Sequence, residues 1–111
     1  MDAQLKRGLL DVCVLSAIKD EESYGYKIIK DLKPCVALSE STLYTILKRL
    51  DRAGMLTVRT AEHDGRLRKY YRITDAGLAR LCEFKSEWRE VVAIYEYVSK
   101  DGSDDEKKRI S

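Results

Sequence analysis

The apolar period of this chain changes at Gly54, and that change limits the folds open to it. Before Gly54, Leu43, Ile46, Leu47 and Leu50 recur at i, i+3, i+4 and i+7, one stripe on an α-helix. After it, Leu56, Val58 and Thr60 alternate with Thr57, Arg59 and Ala61, the period of a β-strand. His63-Asp64-Gly65-Arg66 then supplies the Asp-Gly pair of a hairpin loop. A second alternating run follows, with Leu67, Lys69, Tyr71 and Ile73 on one face and Arg68, Tyr70 and Arg72 on the other. The alternation assigns one of Tyr70 and Tyr71 to the core and leaves open which.

The central helix is bounded by Ser39 at its N-cap and Gly54 as a left-handed C-terminal cap. Upstream, Leu5, Leu9, Leu10, Val12, Cys13, Val14, Leu15, Ala17 and Ile18 predict a first helix over residues 4–19. Its second half is apolar on most sides and needs cover on several faces. Ser23 is positioned to cap a second helix from Tyr24 to Lys33, with Gly25, Ile28, Ile29 and Leu32 as its stripe. Gly25 on that stripe costs ~1 kcal/mol of helix propensity relative to Ala; close approach of a neighbouring helix would offset this. Pro34 ends the helix, because the residue before a proline is pushed out of αR. Two short amphipathic helices with a tight link, then a hairpin, predict a winged helix-turn-helix over residues 1–74. The fold class is mainly α with a small β-hairpin (α+β).

A last helix starts at Thr74 as N-cap, with Asp75 well placed against the helix dipole, and runs to residue 99. Leu81, Phe84, Trp88, Val91, Tyr95 and Val98 form an a/d seam, widened by Leu78, Cys82, Val92 and Ile94. A helix this long outruns the small domain before it, so its seam would face water in a monomer. A two-fold homodimer built on residues 75–99 is therefore expected. Its interface would hold Leu81, Phe84, Trp88, Val91, Tyr95 and Val98 with Leu5 and Leu9 of the first helix; folding back onto its own domain is the alternative. Residues 100–111, rich in Gly, Ser and charge, read as a frayed tail.

The chain has 111 residues, enough for one compact domain. No run reaches the ~18 apolar residues of a membrane span, and no signal peptide is evident. Three cysteines far apart in sequence, no CxxC pair and a single histidine argue against a metal site. The thiols read as those of a reduced, cytoplasmic protein. His63 sits on a hairpin loop, and no phosphate loop or nucleophile motif appears. No catalytic residue, no cofactor and no enzyme activity are therefore expected. Net charge is only +2, but residues 39–72 hold 8 basic and 4 acidic side chains, a modest footprint for a polyanion.

The open face of the central helix carries Ser41, Tyr44, Thr45, Lys48, Arg49 and Arg52. Hydroxyls and cations hydrogen-bond phosphate oxygens and base edges. Ser41, Thr42 and Thr45 lie in the first turns, the part that enters a major groove. Tyr44 is expected to donate to a phosphate or else to pack between helices. Lys48 and Arg49 are expected on phosphate or base, with an ion pair to Asp51 or Glu40 as the alternative for Arg49. Arg66, Arg68 and Lys69 cluster at the hairpin tip, where a wing meets a backbone or a minor groove. The expected partner is double-stranded DNA; the alternative is a winged helix used for protein contact.

Several short stretches carry a family resemblance. They are Gly8-Leu9-Leu10 and Tyr24-Gly25-Tyr26, then Ser41-Thr42-Leu43-Tyr44 with Leu47, Arg49-Leu50 and Gly54. Gly65-Arg66 and Arg68-Lys69-Tyr70-Tyr71-Arg72-Ile73-Thr74 with Gly77 follow. In this order and spacing the chain resembles the PadR-type transcriptional regulators, in the compact branch with a single C-terminal dimerisation helix. The resemblance implies a homodimeric, usually repressing protein on a dyad-symmetric operator. In multidrug-sensing relatives it implies a tryptophan at the dimer interface that stacks on a small aromatic effector; Trp88 is the matching position, and seam packing is its other reading. The family often has proline after the recognition-helix tyrosine, where this chain has Thr45.

Overall fold

A computed structural model describes residues 1–100. The order is α1 (Ala3–Ala17), α2 (Gly25–Leu32), α3 (Glu40–Arg52), β1 (Leu56–His63), β2 (Arg66–Ile73) and α4 (Asp75–Lys100). This is the α+β winged-helix arrangement expected from the change of period. The expected tail at 100–111 lies, beyond Lys100, outside the described residues. The chain divides into two compact units, one spanning Met1–Leu81 and one beginning at Cys82.

The first unit is built around one apolar core. Val14, Leu15 and Ile18 at the end of α1 meet Ile28 of α2, Leu43, Ile46, Leu47 and Leu50 of α3, Leu56 of β1 and Tyr71 of β2, all buried. Each such aliphatic side chain contributes about 1.5–3 kcal/mol by leaving water. Tyr71 is the core tyrosine of the pair; Tyr70 is half-buried on the other face. Burial pushes the Tyr71 phenol above its ordinary pKa, with Tyr44 and Asp51 adding to the shift.

The local signals place the helix ends. Asp2 caps α1 by accepting from the Leu5 N–H at 2.9 Å. Ser39 accepts from the Thr42 N–H at 3.2 Å. Gly54 has φ 76°. Its N–H donates to the Asp51 carbonyl at 3.0 Å, and the Met55 N–H to that of Leu50 at 2.9 Å. That pair of bonds is a Schellman cap, which needs the left-handed residue. Thr74 caps α4: its Oγ1 accepts from the Gly77 N–H at 3.2 Å and donates to the Gly54 carbonyl at 2.7 Å. The hydroxyl thus ties the end of α3 to the start of α4. Asp64 and Gly65 both have positive φ, 50° and 78°, as a two-residue type I′ hairpin turn requires.

Ser23 is not the cap of α2. The N-cap is Tyr24, without a side-chain bond, because Ser23 pairs as an isolated bridge with Tyr71. Its N–H donates to the Tyr71 carbonyl at 3.0 Å, and its carbonyl accepts from the Tyr71 N–H at 2.8 Å. At the other end, α2 stops at Leu32 while Lys33 keeps αR angles (φ −52°, ψ −41°). The break therefore comes from the N–H that Pro34 lacks, not from a displaced Lys33. The Cys35 and Val36 N–H groups both return to the Leu32 carbonyl, at 2.8 and 2.7 Å. That turn sets Cys35 near enough to Cys13 of α1 to raise the pKa of Cys13, after burial, the larger cause.

In the second unit, α4 from Cys82 presents Val91, Val92, Ile94, Tyr95, Tyr97 and Val98 exposed. Phe84 and Trp88 stack, with centroids 5.6 Å apart and planes at 26°. No helix among the described residues is long and apolar enough to cross a membrane.

Candidate nucleic-acid interface

Burial of one side of α3 leaves Ser41, Thr42, Tyr44, Thr45, Lys48 and Arg52 exposed on the other. The three hydroxyl residues differ in what they can still do. Thr45 donates its hydroxyl to the Ser41 carbonyl at 2.9 Å, so it offers only lone pairs outward. Such a group suits a base amino donor better than a phosphate. The Ser39 hydroxyl donates to Thr42 Oγ1 at 2.9 Å and lies 3.3 Å from Ser41 Oγ. Thr42 therefore keeps its proton to donate outward.

Tyr44 takes the packing role. Its ring covers Gly25, where an added Cβ would lie 3.1 Å from the phenol oxygen. The close approach expected at Gly25 is thus made by this side chain. The residue as a whole remains 47% exposed.

Arg49 does not lie on the open face. Its guanidinium pairs with Asp11 of α1, 38 residues away, and neither Asp51 nor Glu40 is its partner. Its Nε is buried without a hydrogen-bond partner. The residue at the outer edge of the apolar stripe is drawn inward by a carboxylate on the helix beneath.

The hairpin sets the cations expected at its tip on both strand faces, yet Arg66, Arg68 and Lys69 all line one groove. In the register Val58↔Tyr71, Thr60↔Lys69 and Glu62↔Leu67 one face runs from the core outward, so Lys69 and Leu67 share the side of Tyr71. Arg68 is on the opposite face, its guanidinium 3.9 Å from the Tyr24 ring centroid. Arg66 is exposed beside the turn. Between α3 and the hairpin lies a groove of ≈ 1240 Å³ whose lining includes Tyr44, Lys48, Asp51, Arg66, Leu67 and Lys69. Arg68, Glu40 and Asp64 line it too, so four cations and three carboxylates face the groove.

Two further arginines of the hairpin, Arg59 and Arg72, escaped the sequence reading. Both pair with Glu22. The period-2 pattern that put Arg72 with Arg68 and Tyr70 could have flagged it; nothing local points to Glu22. At the interface positions expected for a second copy, Leu5 is exposed and Leu9 half-buried. Leu81 is only 8% exposed in the first unit, so it is already covered within one chain.

The sequence pattern of the Transcriptional regulator PadR-like family matches residues 14–83, from the core of α1 into α4. This chain belongs to that family. It is a PadR-like transcriptional regulator, not an enzyme. It is 32% identical to the transcriptional regulator Rv3488 of Mycobacterium tuberculosis over 89 residues, 79% of this chain and 83% of the relative. It is similar in structure to a PadR-like transcription factor from Bacteroides fragilis, with a TM-score of 0.79 at 30% identity, over 87% of this chain and 96% of the other. A third relative, PadR of Bacillus subtilis solved in complex with operator DNA, matches with a TM-score of 0.63 at 27% identity. That match covers 68% of this PadR-like chain and 47% of the other.

Proposed function

We propose that this PadR-like regulator is a homodimeric repressor that binds a dyad-symmetric duplex operator. The carrying observation is the groove lined by Tyr44 and Lys48 of α3 and by Arg66, Arg68 and Lys69 of the hairpin, with the exposed hydroxyls of Ser41, Thr42 and Thr45 elsewhere on the same helix. The first turns of α3 enter the major groove, where Ser41, Thr42 and Thr45 meet base edges. Lys48, Arg66, Arg68, Lys69 and the Tyr44 hydroxyl take the flanking phosphates. Arg49 holds α3 on α1 through Asp11 and makes no contact with DNA. The operator complex of the Bacillus subtilis relative supports this choice of partner. The exposed apolar side of α4 beyond Cys82 supports pairing with a second copy through Val91, Tyr95 and Val98. A small planar aromatic effector fits the same interface, stacking on Trp88 beside Phe84.

Salt titration tests the reading. A dimer contacting about 6–10 phosphates gives a slope near −5 to −9 in log K against log salt on its selected duplex. Lys48→Ala should reduce that slope in magnitude by about two per dimer, at ~0.9 per phosphate and two copies. Binding that ignores salt would point to a protein partner instead. Quenching of Trp88 fluorescence by planar aromatics, coupled to operator release, tests the effector.

A further inference from the structure

Residues 22–24 grip the hairpin from both sides of its backbone. Ser23 pairs through its main chain with Tyr71, while Glu22 and Tyr24, one step either side, reach the outer face with their side chains. The Glu22 carboxylate accepts from Arg59 Nε at 3.0 Å and also from Arg59 Nη2. Arg72 Nη2 stands 3.7 Å from the same carboxylate. The Arg59 guanidinium lies 4.6 Å from the centroid of Tyr70. Tyr70 meets Tyr24 edge-on at 5.9 Å, and Arg68 lies over Tyr24. Glu22, Arg59, Tyr70, Tyr24 and Arg68 thus form one connected chain across the outer face.

This chain has two physical consequences. A two-stranded ribbon on its own is marginal, so its direction depends on what holds it. The bidentate Arg59–Glu22 pair is the directional member of that hold. Glu22 also sets one negative charge against two guanidiniums that would otherwise be open to any phosphate. The Arg59 hydrogen bond holds the Glu22 carboxyl below its usual pKa, and a carboxylate is charged at neutral pH in any case.

We infer that Glu22 is a positioning residue for the wing, fixing its direction and withholding Arg59 and Arg72 from indiscriminate phosphate contact, so that it sets the ratio of specific to non-specific duplex binding. The inference rests on the DNA-binding reading above. Glu22→Gln keeps the shape and removes the charge. The probes are a duplex enriched by the wild-type protein from a random-sequence library and a scrambled duplex of the same length.

The variant should bind the enriched duplex about ten-fold more weakly, the scale of one lost charge-assisted pair. It should bind the scrambled duplex as tightly as wild type or more tightly. The salt slope on the scrambled duplex should steepen by about one to two per protomer as the two guanidiniums are freed. In an Arg59→Gln background the Glu22→Gln effect on the enriched duplex should largely vanish. Equal losses on both duplexes with an unchanged slope, or an undiminished effect in the Arg59→Gln background, would overturn the role of Glu22 alone. A wild-type protein that enriches no duplex would instead sink the DNA-binding reading, and this inference with it.

Discussion

Helix α3 and the part of α4 beyond Cys82 carry the same kind of apolar stripe, and the fold treats them oppositely. Along α3, Leu43, Ile46, Leu47 and Leu50 are 0–2% exposed. Along α4, Val91, Tyr95 and Val98 are 42%, 68% and 61% exposed. The periodicities are alike; the available neighbours are not. α3 has α1, α2 and β1 to cover it, while the second unit contains no other described element. A stripe in a sequence therefore states that a face needs cover without saying whether the chain itself supplies it. Under the proposal made above, a second copy supplies it for α4.

Paired truncations test that contrast most strongly. Leu43→Ala empties a fully buried site and should cost about 2–5 kcal/mol, read as a lower urea midpoint with an unchanged slope. Val98→Ala should change the stability of a single chain by no more than about 0.5 kcal/mol, as exposed sites do. Its effect should appear in the protein concentration at which the molecular mass halves. Two variants with equal urea shifts and no change in association would erase the distinction.

Gly77 sharpens the boundary between the two halves of α4. It is buried, and a Cβ there would collide with the Met55 carbonyl oxygen and lie 2.6 Å from Ile73 Cγ1. The Met55 carbonyl also accepts from the Thr74 N–H at 3.1 Å, so it cannot retreat without breaking a cap. Gly77→Ala should therefore destabilise the first unit by about 1–3 kcal/mol in the same urea assay, despite the better helix propensity of Ala. An increase in stability would mean that α4 starts against the hairpin less tightly than these contacts require.

The parts of this architecture that were legible in the sequence are those whose chemistry is local. Ser39, Gly54, Asp64-Gly65 and Thr74 act within a few residues of themselves, so spacing reveals them. The two faces of the second strand followed from alternation, and the open face of α3, Arg49 excepted, from the stripe opposite it. What escaped was set by packing between distant segments. Arg49 found Asp11 across 38 residues, and Arg59 found Glu22 across 37. Ser23 looked like a cap because its neighbours are helical, yet the extended partner that claims its backbone is Tyr71. Tyr44 was ambiguous for a real reason, since it both packs on Gly25 and stays half-exposed. The opposite strand faces of Arg68 and Lys69 were already contained in the alternation; that both still line one groove with Arg66 was not.

The smallest expected effect compares thiols in the two units. Cys35 and Cys82 are exposed, while Cys13 is half-buried. Burial raises the Cys13 pKa above the ordinary thiol value, and the neighbouring Cys35 raises it further. Only the thiolate is nucleophilic, so at mildly alkaline pH iodoacetamide should label Cys82 and Cys35 first and Cys13 last. A raised pKa means the thiolate fraction of Cys13 is still growing where that of an ordinary thiol has levelled off. Its lag should therefore shrink as pH rises. Peptide mass mapping over time reads all three rates in one sample. If Cys13 labels as fast as Cys82 below the ordinary thiol pKa, the end of α1 is not packed as described. If instead Cys82 is the slow thiol, and becomes fast on dilution, the cover on α4 comes from a second chain and extends back to the start of the exposed stripe.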